Sequence, residues 1–484
     1  MNARPREPRR PPYWLLPVFA VLMLAPPVWA TVALIAAAVG VTITRGALSA
    51  RARGAEAARC AAAGESVVLG SGQAGEQVLL SDRQLSAHGL ILGASGAGKS
   101  TTLLTILTDQ VRRGRPVVAI DLKGSAGFAR ELASAAAAAG RPFRLWTPDG
   151  PDDWNPLQHG NATELKDKLI ATERFTEPHY QRAAERYVQT VLQVLEHANC
   201  GHAPTLEQVV RLMDPQRLPG MLRGLPRPLV ERVQDYIAGL SPDQLSAIRG
   251  LGTRLAIISE SHTGRFLTPS SGTAIDLRQA LDGPEVVLFS LNSSTYGKLA
   301  AQIGTLVVQD LVTAVGQRLN RQATASGNAA GPPAIVAIDE FSALGADHVV
   351  SLLARGREAA VSVLVATQEL ADLDRAAPGL RDQVLGNTAV KIAHRQDVPG
   401  SAQTIAQLVG TEKVWEHSHQ TGNRFFGGYD TGRGTRRQVE QFVVHPNEIK
   451  QLRTGQAVVI TKLPAPEAQT VRVTPPRRDG PQLG

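Results

Sequence analysis

Apolar residues in this chain recur as short continuous runs set between stretches of helical spacing. Gly89-Leu-Ile-Leu92, Arg115-Pro-Val-Val-Ala-Ile120, Phe143-Arg-Leu-Trp146, Glu285-Val-Val-Leu-Phe-Ser290, Ala334-Ile-Val-Ala-Ile338, Val361–Ala366, Ala389–Ile392 and Gln456–Ile460 read as buried strands. A first strand is expected near Glu76-Gln-Val-Leu-Leu80. Thr101-Thr-Leu-Leu-Thr-Ile-Leu107 and residues 127–139 have helical spacing. Strand and helix alternate, which argues for an α/β fold with a mostly parallel sheet and helices on both faces.

The alternation breaks in five places. From about 161 to 268, stretches such as His179–His197, Leu206–Met213, Leu229–Leu240 and Asp243–Ser261 keep helical spacing and offer no convincing strand, so an all-helical insertion is expected. Residues 46–75 are rich in Ala, Gly and Arg and read as a linker. Ala323–Pro333 and the Gly/Arg/aromatic stretch 417–436 read as loops, and residues 476–484 as a disordered tail. The expected division is an anchor at 1–45, the linker, an α/β unit at 76–160, the insertion at 161–268, and a second α/β part at 269–475.

The anchor is read from charge. Pro11 to Thr44 contains no charged residue, and Pro26-Pro27 splits the run into two pieces, each near the short limit of about 17 residues for a spanning helix. Both flanks carry arginines, which favours a transmembrane hairpin with both ends in the cytoplasm. One long tilted helix and a cleaved signal peptide ending near Val28-Trp29-Ala30 remain open readings. A second apolar stretch follows such a cleavage site at once, which disfavours the signal peptide. The hairpin places the protein on the inner membrane with its bulk in the cytoplasm.

Composition narrows the chemistry. Cys60 and Cys200 are the only cysteines and lack metal-ligand spacing, as suits a reducing compartment. The net charge of +8 invites a nucleic-acid reading, yet residues 1–60 hold eight Arg and two acids and so supply +6 of it. The insertion, with 13 Arg/Lys and 12 Asp/Glu, is nearly neutral. Charge therefore says nothing in favour of DNA.

The chemistry sits at Gly93-Ala-Ser-Gly-Ala-Gly-Lys-Ser100, between a strand and a helix. Such a turn aims backbone N–H groups at phosphate, and the helix N-terminus adds its partial positive charge. Gly93, Ala94, Ser95, Gly96, Ala97, Gly98, Lys99, Ser100 and Thr101 are the expected nucleotide cradle. Lys99 should reach the β- and γ-phosphates of ATP, and the Ser100 hydroxyl should ligate Mg²⁺.

Ala334–Ile338 then leads into Asp339-Glu340. Asp339 is the expected Mg²⁺ partner and Glu340 the base for the attacking water. Acids at strand ends also cap helices, so the pair gains meaning only beside the phosphate loop. Val361–Ala366 runs into Thr367-Gln368, where Gln368 could sense the γ-phosphate. Arg355 and Arg357, just upstream, either pair with surface acids or reach a neighbouring subunit's phosphate.

Taken in order, these motifs resemble the coupling ATPases of conjugative type IV secretion, the TraG/TraD group of the FtsK/HerA-like motors. The resemblance runs through the membrane segment, Gly93–Ser100, Asp121-Leu-Lys-Gly124, Trp154-Asn-Pro-Leu157, the helical insertion, Ile338-Asp-Glu-Phe341, Ala354-Arg-Gly-Arg357, Ala366-Thr-Gln368, Gly386-Asn-Thr388, and Pro446 through Gly455-Gln-Ala457. It implies a RecA-like P-loop NTPase core, a ring of about six subunits, and ATP sites between neighbours. It further implies conjugative single-stranded DNA with its relaxase as cargo, and secretion-channel components as partners. Arg357 matches the family's trans-acting arginine and Gln368 its γ-phosphate sensor. Two features depart from the family: the membrane hairpin has almost no extracytoplasmic loop, and no long acidic C-terminal segment is present.

Other functions compete. A double-stranded DNA pump of the same branch would favour a C-terminal winged domain, for which no segment follows the final strand. A protein-only secretion ATPase fits the same motifs. A nucleotide-binding scaffold without turnover is disfavoured by the intact Lys99, Asp339 and Glu340. An ABC transporter ATPase would carry a Leu-Ser-Gly-Gly signature that this chain lacks.

Overall fold

The computed structural model describes residues 65–173, 175–269, 274–324, 331–344, 346–424 and 427–476. The expected anchor at 1–45, most of the linker and most of the tail lie outside the described residues.

Six of the expected runs form the central strands: β3 (Gly89–Leu92), β4 (Val117–Asp121), β5 (Phe143–Trp146), β6 (Val286–Ser290), β7 (Ala334–Asp339) and β8 (Val361–Thr367). With β9 (Val390–Ala393) they pair in parallel in the order β9-β3-β8-β7-β4-β6-β5. Most of these strands are buried at every position, as near-continuous apolar runs must be when helices cover both faces. Leu90 and Leu92 face one apolar core, Ile91 the other. The helix Lys99–Arg112 fills the second core with Leu103, Ile106, Leu107 and Val111. A long helix, Ser293–Thr324, kinked at Gly297, fills the first. It is apolar and long enough to cross a bilayer, but most of it is buried against the protein itself.

Beyond β9 the sheet turns antiparallel. β12 (Gln456–Thr461) pairs with β9 and with β13 (Glu467–Val473). β13 pairs with β1 (Ser66–Gly72), and β1 with the edge strand β2 (Gln77–Ser81), giving eleven strands in all. β1 corrects the linker boundary: Ser66–Gly72 belongs to the sheet. Its apolar residues are few and flanked by Gly and Ser, so its pattern alone is weak. The partner strands supply the order, and Gly70 permits the contact, since a Cβ there would lie 2.0 Å from the Arg472 carbonyl oxygen.

The stretch read as a loop at 417–436 is a second correction. β10 (Thr411–Arg424) and β11 (Gly427–Phe442) form an antiparallel ribbon that pairs only with itself. The described side chains at Thr411–Glu416 and Arg436–Gln441 are mostly exposed, so hydrophobic alternation is not needed, and the sequence shows none. At its root, Arg436 lies over the Trp415 ring at 4.3 Å.

Between β5 and β6 the chain is helical: Ala162–Ile170, Pro178–Ala198, Leu206–Leu212, Arg227–Ala238 and Pro242–Ser259. Asn161, Thr205 and Ser241 each close a capping box at a helix start. Tyr187, Val191, Leu195, Leu212, Leu251 and Leu255 pack these helices together. A buried ion pair joins them to the core helix: Lys168 Nζ is 2.7 Å from Asp310 Oδ1, while the Trp154 indole donates to Asp310 Oδ2 at 3.1 Å. Removing one partner would strand a buried charge, at about 3–5 kcal/mol.

Candidate nucleotide site

The parallel strands end together. Leu92 lies beside Thr367, Asp339 beside Ala366 and Asp121, and Asp121 beside Ser290, so their C-terminal ends form one edge. Ligands of open α/β sheets bind at such an edge.

The loop after β3 is built from its backbone outward. Gly93 donates to the Gln368 carbonyl at 3.2 Å and Ala94 to that of Arg395 at 2.9 Å, fixing the loop to the ends of β8 and β9. Gly96 and Gly98 have φ of 72° and 123°, which glycine adopts without a Cβ penalty. At Gly93 a Cβ would stand 2.7 Å from the His394 Cβ. Ser95 and Gly96 are exposed at the tip, and Lys99 is buried. The Lys99 ammonium donates to the carbonyls of Gly93 and Ala94. Burial and the nearby Lys123 charge push its pKa down, opposed by Glu340, Asp339 and Glu369.

Ser100 Oγ donates to Asp339 Oδ2 at 3.2 Å, uniting the two expected metal-binding residues. Asp339 is 2% exposed, and its other oxygen, Oδ1, is buried without a hydrogen-bond partner. An orphaned carboxylate oxygen beside a serine hydroxyl at a phosphate loop is the donor set a magnesium ion uses. Glu340 has left-handed backbone, φ 61°, which an ordinary residue adopts only when its surroundings impose it. That turn brings its carboxylate to Gln368, whose Nε2 donates to Oε1 at 2.7 Å. Lys99, Ser100, Asp339, Glu340 and Gln368 are thus one cluster.

Arg355 and Arg357 are not part of it. Both are exposed, and neither has an ion pair among the described residues. Arg357 precedes β8, at the opposite end of the sheet from Gln368. Its neighbour there is His88, at the start of β3, whose Nδ1 accepts the Val363 N–H at 3.0 Å.

Lys123 and His394 carry no role in the motif reading, yet both belong to the site. Lys123 Nζ is 2.9 Å from Glu340 Oε2 and 3.5 Å from Asp339 Oδ2. Burial works against its charge, but the two acids outweigh this and raise its pKa. Its signal is Asp121-Leu-Lys-Gly124, a polar turn at a strand end. His394 had none, being a lone histidine after an apolar run. It is fully buried under the loop, bonded to Thr102 Oγ1 at 2.8 Å and to the Gln456 carbonyl at 2.9 Å.

Burial holds the His394 pKa down, to about 4, and that of His88 likewise. The unfolded chain would protonate both as pH falls through about 6.5, while the folded chain resists until about 4. Stability is therefore lost over that interval on acidification, by up to roughly 3 kcal/mol per histidine. Urea unfolding at several pH values should show a shallower slope in His394→Asn than in the parent. Equal slopes would remove His394 as the cause.

Residues 333–454 match the family model described as the TraM recognition site of TraD and TraG. Among solved structures, the bacterial conjugative coupling protein TrwBdeltaN70 in its unbound form superposes with a TM-score of 0.62 at 15% identity, covering 85% of this chain and 89% of that one. TrwB bound to a non-hydrolysable ATP analogue gives 0.60 at 17% identity, over 85% and 90%. VirB4 of Thermoanaerobacter pseudethanolicus gives 0.55 at 14%, over 85% and 97%. No curated protein sequence matches. The likeness shows the P-loop NTPase fold, and with the family match it bears out the resemblance to TraG/TraD-type coupling ATPases.

Proposed function

We propose that this chain is a membrane-anchored, ATP-driven motor that couples DNA, with its relaxase, to a conjugative secretion channel. The observation that carries it is the cluster of Lys99, Ser100, Asp339, Glu340 and Gln368 at the sheet edge of a fold shared with coupling proteins. TrwB structures hold a GTP analogue, an ATP analogue, and ADP with Mg²⁺. Here Gly93 to Thr101 would cradle the phosphates of ATP. Lys99 would turn from its own loop carbonyls to the β- and γ-phosphates. Ser100 Oγ and Asp339 would hold Mg²⁺, which would supply neutralisation of the phosphate charge. Glu340 would take the proton of the attacking water, and Gln368 would position that water and report the γ-phosphate.

The inserted helices at 162–267 would face cargo at the cytoplasmic mouth of a ring of about six subunits. The uncharged run at 11–44, flanked by arginines, supports the membrane anchor. Hydrolysis by the full chain in detergent, with single-stranded DNA, duplex DNA or none, tests this reading. Single-stranded DNA should stimulate most. Preferential stimulation by duplex DNA would favour a septal-type pump, and no response to either would favour protein cargo.

A further inference from the structure

β4 delivers a fourth charged group to the site through a fixed turn. The buried Asp121 carboxylate accepts the backbone N–H groups of Lys123 at 3.0 Å and Ser125 at 2.6 Å. Leu122 accepts the Ser293 N–H at 2.7 Å, tying the turn to the start of the long core helix. Gly124, φ 70°, completes it, because a Cβ there would lie 2.6 Å from the Asn292 Cα. The turn holds Lys123 over the acidic pair.

Its ammonium meets Asp339 at Oδ2, the same oxygen that Ser100 donates to, and Glu340 at Oε2. Gln368 takes Oε1, so both oxygens of the expected base are engaged. Two adjacent carboxylates, one of them almost fully buried, need a compensating cation. Lys123 supplies it. A magnesium ion beside Ser100 and Asp339 would repel that ammonium strongly at such distances. Asp339 is buried, whereas the Lys123 side chain is 38% exposed and has solvent to swing into.

We propose that Lys123 is a positioning residue whose ammonium pairs with Asp339 and Glu340 before nucleotide binds and is exchanged for the metal of the incoming nucleotide, freeing Glu340 for water. This rests on the ATPase reading above. The exchange is reciprocal: if the metal expels Lys123, Lys123 weakens metal binding by the same factor.

The test uses the full chain without nucleotide and Mn²⁺ as the probe, read by electron paramagnetic resonance. Lys123→Met should bind Mn²⁺ about tenfold or more tightly than the parent, since a competing charge is gone. Lys123→Arg should match the parent. Unchanged or weaker Mn²⁺ binding in a Lys123→Met protein that melts like the parent overturns the proposal. Because loss of a charge beside buried acids threatens folding, the parent carries a second check. In its crystal structure with Mg²⁺ and a non-hydrolysable ATP analogue, the Lys123–Glu340 contact should be broken. A contact kept beside bound metal overturns the exchange alone. A parent chain that takes up no Mg-nucleotide overturns the ATPase reading with it.

Discussion

Glu340→Gln should keep Mg-ATP bound and lose about 10²–10⁴-fold in turnover. The amide preserves the shape of the side chain and the backbone turn at φ 61°, but cannot take a proton. Nothing in the geometry assigns Glu340 to the phosphates. Lys99 and the loop backbone are the groups proposed for those, while Ser100 and Asp339 share the contact expected of metal ligands. Binding and turnover should therefore separate. Nucleotide affinity by titration calorimetry should stay within a few-fold of the parent, with single-turnover hydrolysis close to background. Hydrolysis at near the parental rate would show that another group activates the water. The amide could also hydrogen-bond Gln368 in place of the carboxylate, so a modest loss accompanied by intact binding would point to the same conclusion.

Arg357→Ala should cost assembled rings about 10³–10⁵-fold in turnover and leave nucleotide affinity in isolated subunits nearly intact. Arg357 stands before β8 and Gln368 after it, so seven residues of strand, about 20 Å, separate it from its own site. An arginine side chain does not bridge that distance. It is exposed and free of ion pairs among the described residues, as the expected action on a neighbouring subunit's site requires. Mixing Arg357→Ala with Lys99→Ala subunits gives the sharper measurement. Each is inactive alone, yet some mixed interfaces carry a wild-type Lys99 opposite a wild-type Arg357, and activity should partly return. Recovery is decisive for action in trans. Failure to recover, in mixtures shown by light scattering to assemble as the parent does, would count against it. Arg355, two residues away, is the second candidate if Arg357→Ala proves mild.

The phosphate loop and the acidic pair were legible because their chemistry requires particular residue types at fixed spacing next to buried strands. Apolar runs such as Val117–Ile120 and Ala334–Ile338 are equally plain, since strands covered on both faces need apolar side chains at nearly every position. The edge strands were less so. β13 reads Glu-Ala-Gln-Thr-Val-Arg-Val and buries chiefly its last residues, and β1 is interrupted by glycine. Their identity as strands comes from the partners on either side. The β10–β11 ribbon is the extreme case, because it joins no other strand and is ordered by pairing between its own halves.

By itself, the sequence determined the α/β class, the helical stretch between β5 and β6, the nucleotide loop, and which acids accompany it. Each of these is a local or periodic property of the chain. Tertiary structure alone decided that Gln368 and Lys123 hold opposite oxygens of Glu340, that His394 underpins the loop, and that Arg357 lies at the far end of the sheet. Those relations depend on strand order. The turn bearing Lys123 and the acids of β7 are more than two hundred residues apart in sequence, yet their strands are neighbours in the sheet. A crossover connection sets such adjacency through packing of the whole sheet, and no window of sequence encodes it.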